Sequence, residues 1–203
     1  MAPHLILPQF IYRAMIAHAR AEYPREACGL LRGRARRVVG MLAARNVAPD
    51  PQRDYEVDAE SLLRALTWEN EGDELVAIYH SHPVSPAYPS AVDAGRAFYP
   101  NSVYLIISLQ NPNAPRLKGY LLRPEAIFRD DAARRLQQDI SFQQVRPELW
   151  AHLFSGDAPL ADDLRLGASA PIAFYLIFEK PASHRPPPVR LISVQPASIS
   201  IQI

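Results

Sequence analysis

His80 and His82 stand one residue apart at the end of the apolar run "ELVAIYHSH", followed by Pro83, a proline-studded loop, Ser90 and Asp93. Residues i and i+2 of a strand point to one face, so both imidazoles can converge on a single point. Pro83 stops the strand there and turns the chain into a loop. Two converging imidazoles suit a divalent transition metal, and zinc is the usual ion where nitrogen and oxygen ligands serve hydrolysis. Asp93 is the candidate third ligand, one helical turn past Ser90, with Val84 to Pro89 able to fold back over the strand end. Three protein ligands leave a tetrahedral position for water, the pattern of a catalytic rather than a structural site. Water bound to such a zinc has a pKa of about 7.

Each of these residues also has a plainer reading. Ser90 with Asp93 three residues later has the form of a helix-capping box, and His-x-His occurs on strands by chance. Glu26, at the start of a strand, would ordinarily be a solvated charge, although Pro24 before it and the apolar "CGLL" after it favour a fixed, half-buried position. Cys28 shares a strand face with Glu26. As a nucleophile it would need a histidine partner, but its apolar flank raises a thiol's pKa, so a packed position is expected. His18, His152 and His184 are isolated and read as bland positions.

Positioning such a site takes an α/β framework. "QFIYRAMIAHARAEY" after Pro8 has helical spacing at Ile11, Met15 and His18. "EACGLLRG" and "RRVVGMLAARN" suggest a strand pair, and "APDPQRD" a loop. Asp58 is placed to cap a helix whose buried side would be Leu62, Leu63, Leu66 and Trp68. "ELVAIYHSH" and "SVYLIISL" read as strands buried on both faces, "PSAVDAGRAFY" begins a helix, and "RLKGYLL" is one more strand. Histidines at the carboxyl end of a central strand lie where open α/β sheets place their ligands. Beyond Pro124 the pattern changes. "EAIFRDDAARRLQQDISFQQV" is helical in its middle, "PELWAHLFSG" reads as a second short helix, and "PIAFYLIFEK" and "VRLISVQPASISIQI" as strands around the linker "PASHRPPP".

Composition narrows the partners. Among 203 residues, 22 Lys and Arg against 21 Asp and Glu give a net charge of +1, which offers no general attraction to nucleic acid or acidic membrane. The run Arg32, Arg34, Arg36, Arg37 reads as a solvated sheet face, and neither it nor Arg134 with Arg135 has the aromatic interleaving of a nucleic-acid platform. A single cysteine excludes an internal disulfide framework and suits a reducing compartment. No apolar stretch of about 18 residues spans a bilayer. A cytoplasmic protein is expected, with no nucleic acid or membrane partner. A homodimer stays open. A His-x-His metallohydrolase of the (β/α)₈ class needs about 250 residues, more than this core has.

The stretch "HSHPVSPAYPSAVD" resembles the JAMM, or MPN+, signature of zinc isopeptidases (Mov34/MPN/PAD-1): His, Ser or Thr, His, Pro, six residues, Ser, two residues, Asp. The upstream glutamate that family needs is supplied by Glu26 in "YPREACGLLRG", in a context similar to its bacterial members. The resemblance spans about Leu5 to Arg123. It implies one JAMM/MPN core over residues 1–125, with a mixed, curved sheet flanked by helices in the cytidine-deaminase-like manner, and a C-terminal extension over 126–203. It further implies that His80, His82 and Asp93 are zinc (Zn2+) ligands, that Glu26 is the general base and acid, and that Ser90 helps stabilise the tetrahedral intermediate. Between Glu26 and Asp93 there is no room for the long insertions of eukaryotic deubiquitinases. The compact form resembles peptidases that release an amino acid such as cysteine from a sulfur carrier, so a ubiquitin-like or sulfur-carrier protein with a Gly-Gly tail is the expected substrate. The alternative is a catalytically inactive MPN scaffold or interaction module, though such modules typically lack ligands and none is missing here.

Overall fold

In a computed structural model that describes residues 4–160, 172–179 and 186–203, the chain forms two compact units that interleave along the sequence. One comprises Met1–Tyr88, Asn101–Tyr120 and Ala197–Ile203, the other Pro89–Pro100 and Leu121–Pro196.

In the first unit, β1 (His4–Pro8) leads directly into α1 (Gln9–Glu22), whose Ile11, Met15, Ile16 and Ala19 are buried at helical spacing. The short strand β1 escapes sequence reading because it is made by its neighbours: it pairs in parallel with the chain's last residues, His4 opposite Ser198 through Pro8 opposite Gln202. β2 (Cys28–Arg34) and β3 (Arg37–Ala44) form the expected strand pair, which is antiparallel. α2 (Ala59–Leu66) follows, then a 3₁₀ turn over Thr67–Glu71, β4 (Glu74–His82), β5 (Val103–Ser108) and the first residues of β6 (Arg116–Phe128). The strands lie in the order β1, β3, β2, β4, β5, β6. β4 runs antiparallel to β2 and parallel to β5, which makes the sheet mixed. Val76 to His82 and all of β5 are buried, as their apolar runs require.

Two expectations in this unit change. Leu63 and Leu66 are 65% and 68% exposed, while Trp68 is buried. Ser61 and Trp68 are buried and Leu62 and Ala65 half-buried, a face at i, i+1, i+4 and i+7 that leaves Leu63 and Leu66 on the outer side. Nor do the arginines form a simple alternating face. A register shift between Arg32 and Gly33 breaks the alternation, and Arg36 sits in the turn at φ 63°. Arg32 pairs with Glu71, and Arg34 Nε lies 2.6 Å from Asp73 Oδ1, so downstream acids neutralise these two arginines.

The second unit holds α3 (Ala91–Gly95), the rest of β6, α4 (Asp130–Asp139), β7 (Gln143–Arg146), β8 (Leu149–Ser155), β9 (Ala173–Glu179) and most of β10 (Val189–Gln202). β10, β9, β8 and β7 pair antiparallel in that order. Ala133 of α4 packs with Phe154, Phe174, Leu176, Val189 and Leu191 in one buried cluster. "PELWAHLFSG", expected as helix, contains β8. Its Trp150 lies opposite Phe178 with the rings stacked at 5.6 Å, and Phe154 opposite Phe174 at 5.3 Å. Such cross-strand aromatic pairs are what a strand, not a helix, can make of this sequence. His184 and most of the expected linker lie outside the described residues.

Candidate metal centre

β4 carries both histidines to its carboxyl end, where Pro83 turns the chain out of the ladder. His80 pairs in register with Cys28 of β2 and His82 with Ser108 of β5. Both are buried, and their Nε2 atoms lie 3.1 Å apart. His82 Nδ1 lies 2.9 Å from the Pro86 carbonyl oxygen. A carbonyl can only accept, so this bond puts the proton on Nδ1 and leaves the Nε2 lone pair for a ligand. The loop that supplies this carbonyl is itself fixed: Ser108 Oγ donates to the Ser85 carbonyl at 2.6 Å and the Tyr120 hydroxyl to that of Ala87 at 2.8 Å.

Ser90 and Asp93 form the capping box read from sequence. Asp93 N–H donates to Ser90 Oγ at 3.1 Å and Ser90 N–H to Asp93 Oδ2 at 2.7 Å. The Asp93 carboxylate is buried, and each of His80, His82 and Asp93 offers a ligand atom within 4.8 Å of the others. Cap and ligand are therefore compatible roles for one aspartate, since the box occupies one of its oxygens. The donor set fits zinc: two nitrogens at roughly 2.0–2.1 Å from a tetrahedral ion stand about 3.3 Å apart, close to the 3.1 Å between the imidazoles.

Glu26 is 6% exposed, more deeply buried than its sequence context suggested. Ser81 N–H donates to the Ala27 carbonyl at 2.9 Å, and Ala27 N–H to Ser81 Oγ at 2.8 Å. The β2–β4 register thus continues past Cys28 and puts Glu26 across from His82. Cross-strand neighbours share a face, so Glu26 projects on the same face as the two histidines. The serine between them fastens this junction, a role its place in the motif did not reveal. Cys28 lies on that face too, fully buried. Burial, and then the nearby carboxylates of Asp58, Glu26 and Glu22, push its thiol up to about 12. It is a packed residue, not a thiolate.

Two neighbours escaped sequence reading. Tyr55 stacks on the His80 ring, with centroids 4.3 Å apart and planes 17° from parallel. Asn46 donates from Nδ2 to the Glu26 carbonyl at 2.9 Å. Both lie in the loop that follows β3, Asn46 at the end of the run read as strand and Tyr55 just after the "APDPQRD" turn, and nothing local in the sequence marks either as a neighbour of the centre.

A buried pair of imidazoles and one carboxylate at the carboxyl end of a central strand, with a second buried acid on the same face, defines a two-histidine, one-aspartate centre in a mixed sheet. Residues 8–118 match the family described as prokaryotic homologs of the JAB domain, and the chain belongs to that family. It is similar to the desampylase of Haloferax volcanii, 43% identical over 104 residues that cover 47% of this chain and 73% of the relative. It is also similar to CysO-cysteine peptidase of Mycobacterium tuberculosis, 33% identical over 129 residues covering 61% of this chain and 86% of the relative. Among solved structures, protein DSY2949 from Desulfitobacterium hafniense has 38% identity and a TM-score of 0.53, over 58% of this chain and 83% of that one.

Proposed function

We propose that this chain is a zinc-dependent peptidase or isopeptidase that hydrolyses the bond after the Gly-Gly C-terminus of a ubiquitin-like or sulfur-carrier protein. The observation that carries this reading is the convergence of buried His80, His82 and Asp93 to within 4.8 Å. Family membership and relatives named desampylase and CysO-cysteine peptidase support the choice of substrate. Zinc held by these three residues would supply a Lewis acid for the scissile carbonyl and lower the pKa of water. Glu26 takes a proton from the attacking water and returns it to the leaving amine, which a carboxylate beside the ligands can do from one position. The Ser90 oxygen accepts from Asp93 N–H. Its own hydrogen therefore points elsewhere and serves the carbonyl oxygen on which charge develops. Glycines before the cut let an extended backbone pass close to buried ligands and pair along a strand edge.

The test compares the parent chain with Glu26→Gln for zinc content and for removal of cysteine from CysO extended by one cysteine, followed by mass spectrometry. One zinc per chain in both proteins is expected, with turnover at least about 100-fold lower in the variant. A parent that holds no zinc, or a variant that cleaves at the parent's rate, defeats the proposal. Stoichiometric zinc with no hydrolysis of any extended carrier would leave an inactive MPN scaffold instead.

A further inference from the structure

We propose that Asn46 is a positioning residue for Glu26, holding the backbone of that acid where the adjacent strand has already ended. The inference rests on the reading of Glu26 as the proton-transferring carboxylate.

β3 ends at Ala44, opposite Cys28. Continuing that register puts Asn46 across from Glu26, at the point where β3 no longer runs beside β2. On its β4 side the chain around Glu26 is secured through Ala27 and Ser81. On the other side the loop takes over. The Asn46 side-chain amide donates to the Glu26 carbonyl at 2.9 Å, and Glu26 N–H donates to the Pro51 carbonyl at 2.7 Å. The same amide donates to the Asp54 carbonyl at 2.8 Å, while Asn46 Oδ1 accepts from Ala48 N–H at 3.0 Å and Glu56 N–H at 3.1 Å. One short side chain therefore closes the loop on itself and ties it to Glu26. Tyr55, next to Asp54 in that loop, stacks on His80. The fastening thus reaches both the acid and one of the two imidazoles.

The chemistry selects asparagine. Two donors and an acceptor are needed on one planar group. Aspartate offers acceptors only, serine has a single donor, and glutamine stands one methylene too far out. Displacing a catalytic group by about 1 Å can cost on the order of 100-fold in rate, so slack in the Glu26 backbone will be read in turnover before it is read in binding.

Asn46→Asp separates the two halves of this arrangement. It keeps the acceptor for Ala48 and Glu56 and removes the donors to Glu26 and Asp54. We expect it to bind one zinc, to keep KM for CysO–cysteine within about twofold, and to lose roughly ten- to a hundredfold in kcat. In the metal-free chain, Glu26 amide exchange measured by NMR should become at least about tenfold faster. Unchanged exchange at Glu26 overturns the inference, as does a kcat loss that only tracks lost zinc or comes with an equal rise in KM. Should Asn46→Asp fail to fold, Asn46→Ala carries the same expectations. If the parent itself leaves the carrier uncut, the functional reading fails and this one is decided by exchange alone: faster upholds it, unchanged overturns it.

Discussion

At the residue scale, burial sets the protonation states that Cys28 and His18 hold. Cys28 sits beside the histidines with its thiol pushed up to about 12, mainly by desolvation. The folded chain should therefore resist iodoacetamide at pH 8.5, while the urea-unfolded chain reacts completely. Cys28→Ala should keep full cleavage of the extended carrier at a stability cost of about 1 kcal/mol. Rapid labelling of the native chain would contradict this. His18 is the second case. Its Nδ1 meets the Tyr79 hydroxyl at 2.8 Å, and burial lowers its pKa against the opposing pull of Glu22. The unfolded chain takes up this proton near pH 6.5 and the folded chain resists it, so His18 removes stability as pH falls below about 6.5. Urea unfolding at pH 7.5 and 5.5 should show a smaller acid loss in His18→Gln than in the parent. An equal loss would assign the acid sensitivity elsewhere.

At the scale of elements, the caps and the central strands were legible in sequence because their signals are local. Asp58 caps α2 as expected, its carboxylate accepting from Ser61 N–H at 3.0 Å, Ser61 Oγ at 2.8 Å and Arg45 N–H at 3.0 Å. Burial opposes its ionisation, but these bonds and the charge of Arg45 outweigh it and hold the carboxyl below its ordinary value. Its stabilising effect is therefore present above about pH 3.9 and disappears as pH falls through the lowered folded value. Asp58→Ala should cost about 1 kcal/mol at pH 7 and progressively less below pH 4, read from urea midpoints. A pH-independent difference would mean that packing, not the charge, is what the substitution removes. What was not local was misread. Leu63 and Leu66 stay exposed because the neighbouring elements take the Ser61–Trp68 face of the helix instead, and β8 becomes a strand only because β9 offers Phe174 and Phe178 across from it.

At the scale of the whole molecule, the same distinction separates the legible part of the centre from the rest. His80, His82 and Asp93 fall within fourteen residues of one another, so their spacing alone suggested convergence. Asn46 and Tyr55 meet Glu26 and His80 across twenty or more residues, and no periodicity marks such an approach. The pairing of the final residues with β1 is likewise a long-range contact that no local signal marks. Zinc that binds the native chain and not the unfolded one stabilises it by about 2.7 kcal/mol at 100 times its Kd. For a chain of this length that corresponds to a Tm increase of roughly 5–10 °C. Removing metal with a chelator should lower Tm by this amount, and stepwise zinc should restore it with a logarithmic dependence on concentration. Asp93→Asn keeps an acceptor for Ser90 N–H yet removes the carboxylate charge proposed to hold zinc, so most of the zinc-dependent gain should vanish while the metal-free Tm moves little. A Tm indifferent to zinc in the parent, or an Asp93→Asn titration identical to it, would show that these three side chains converge without holding the ion.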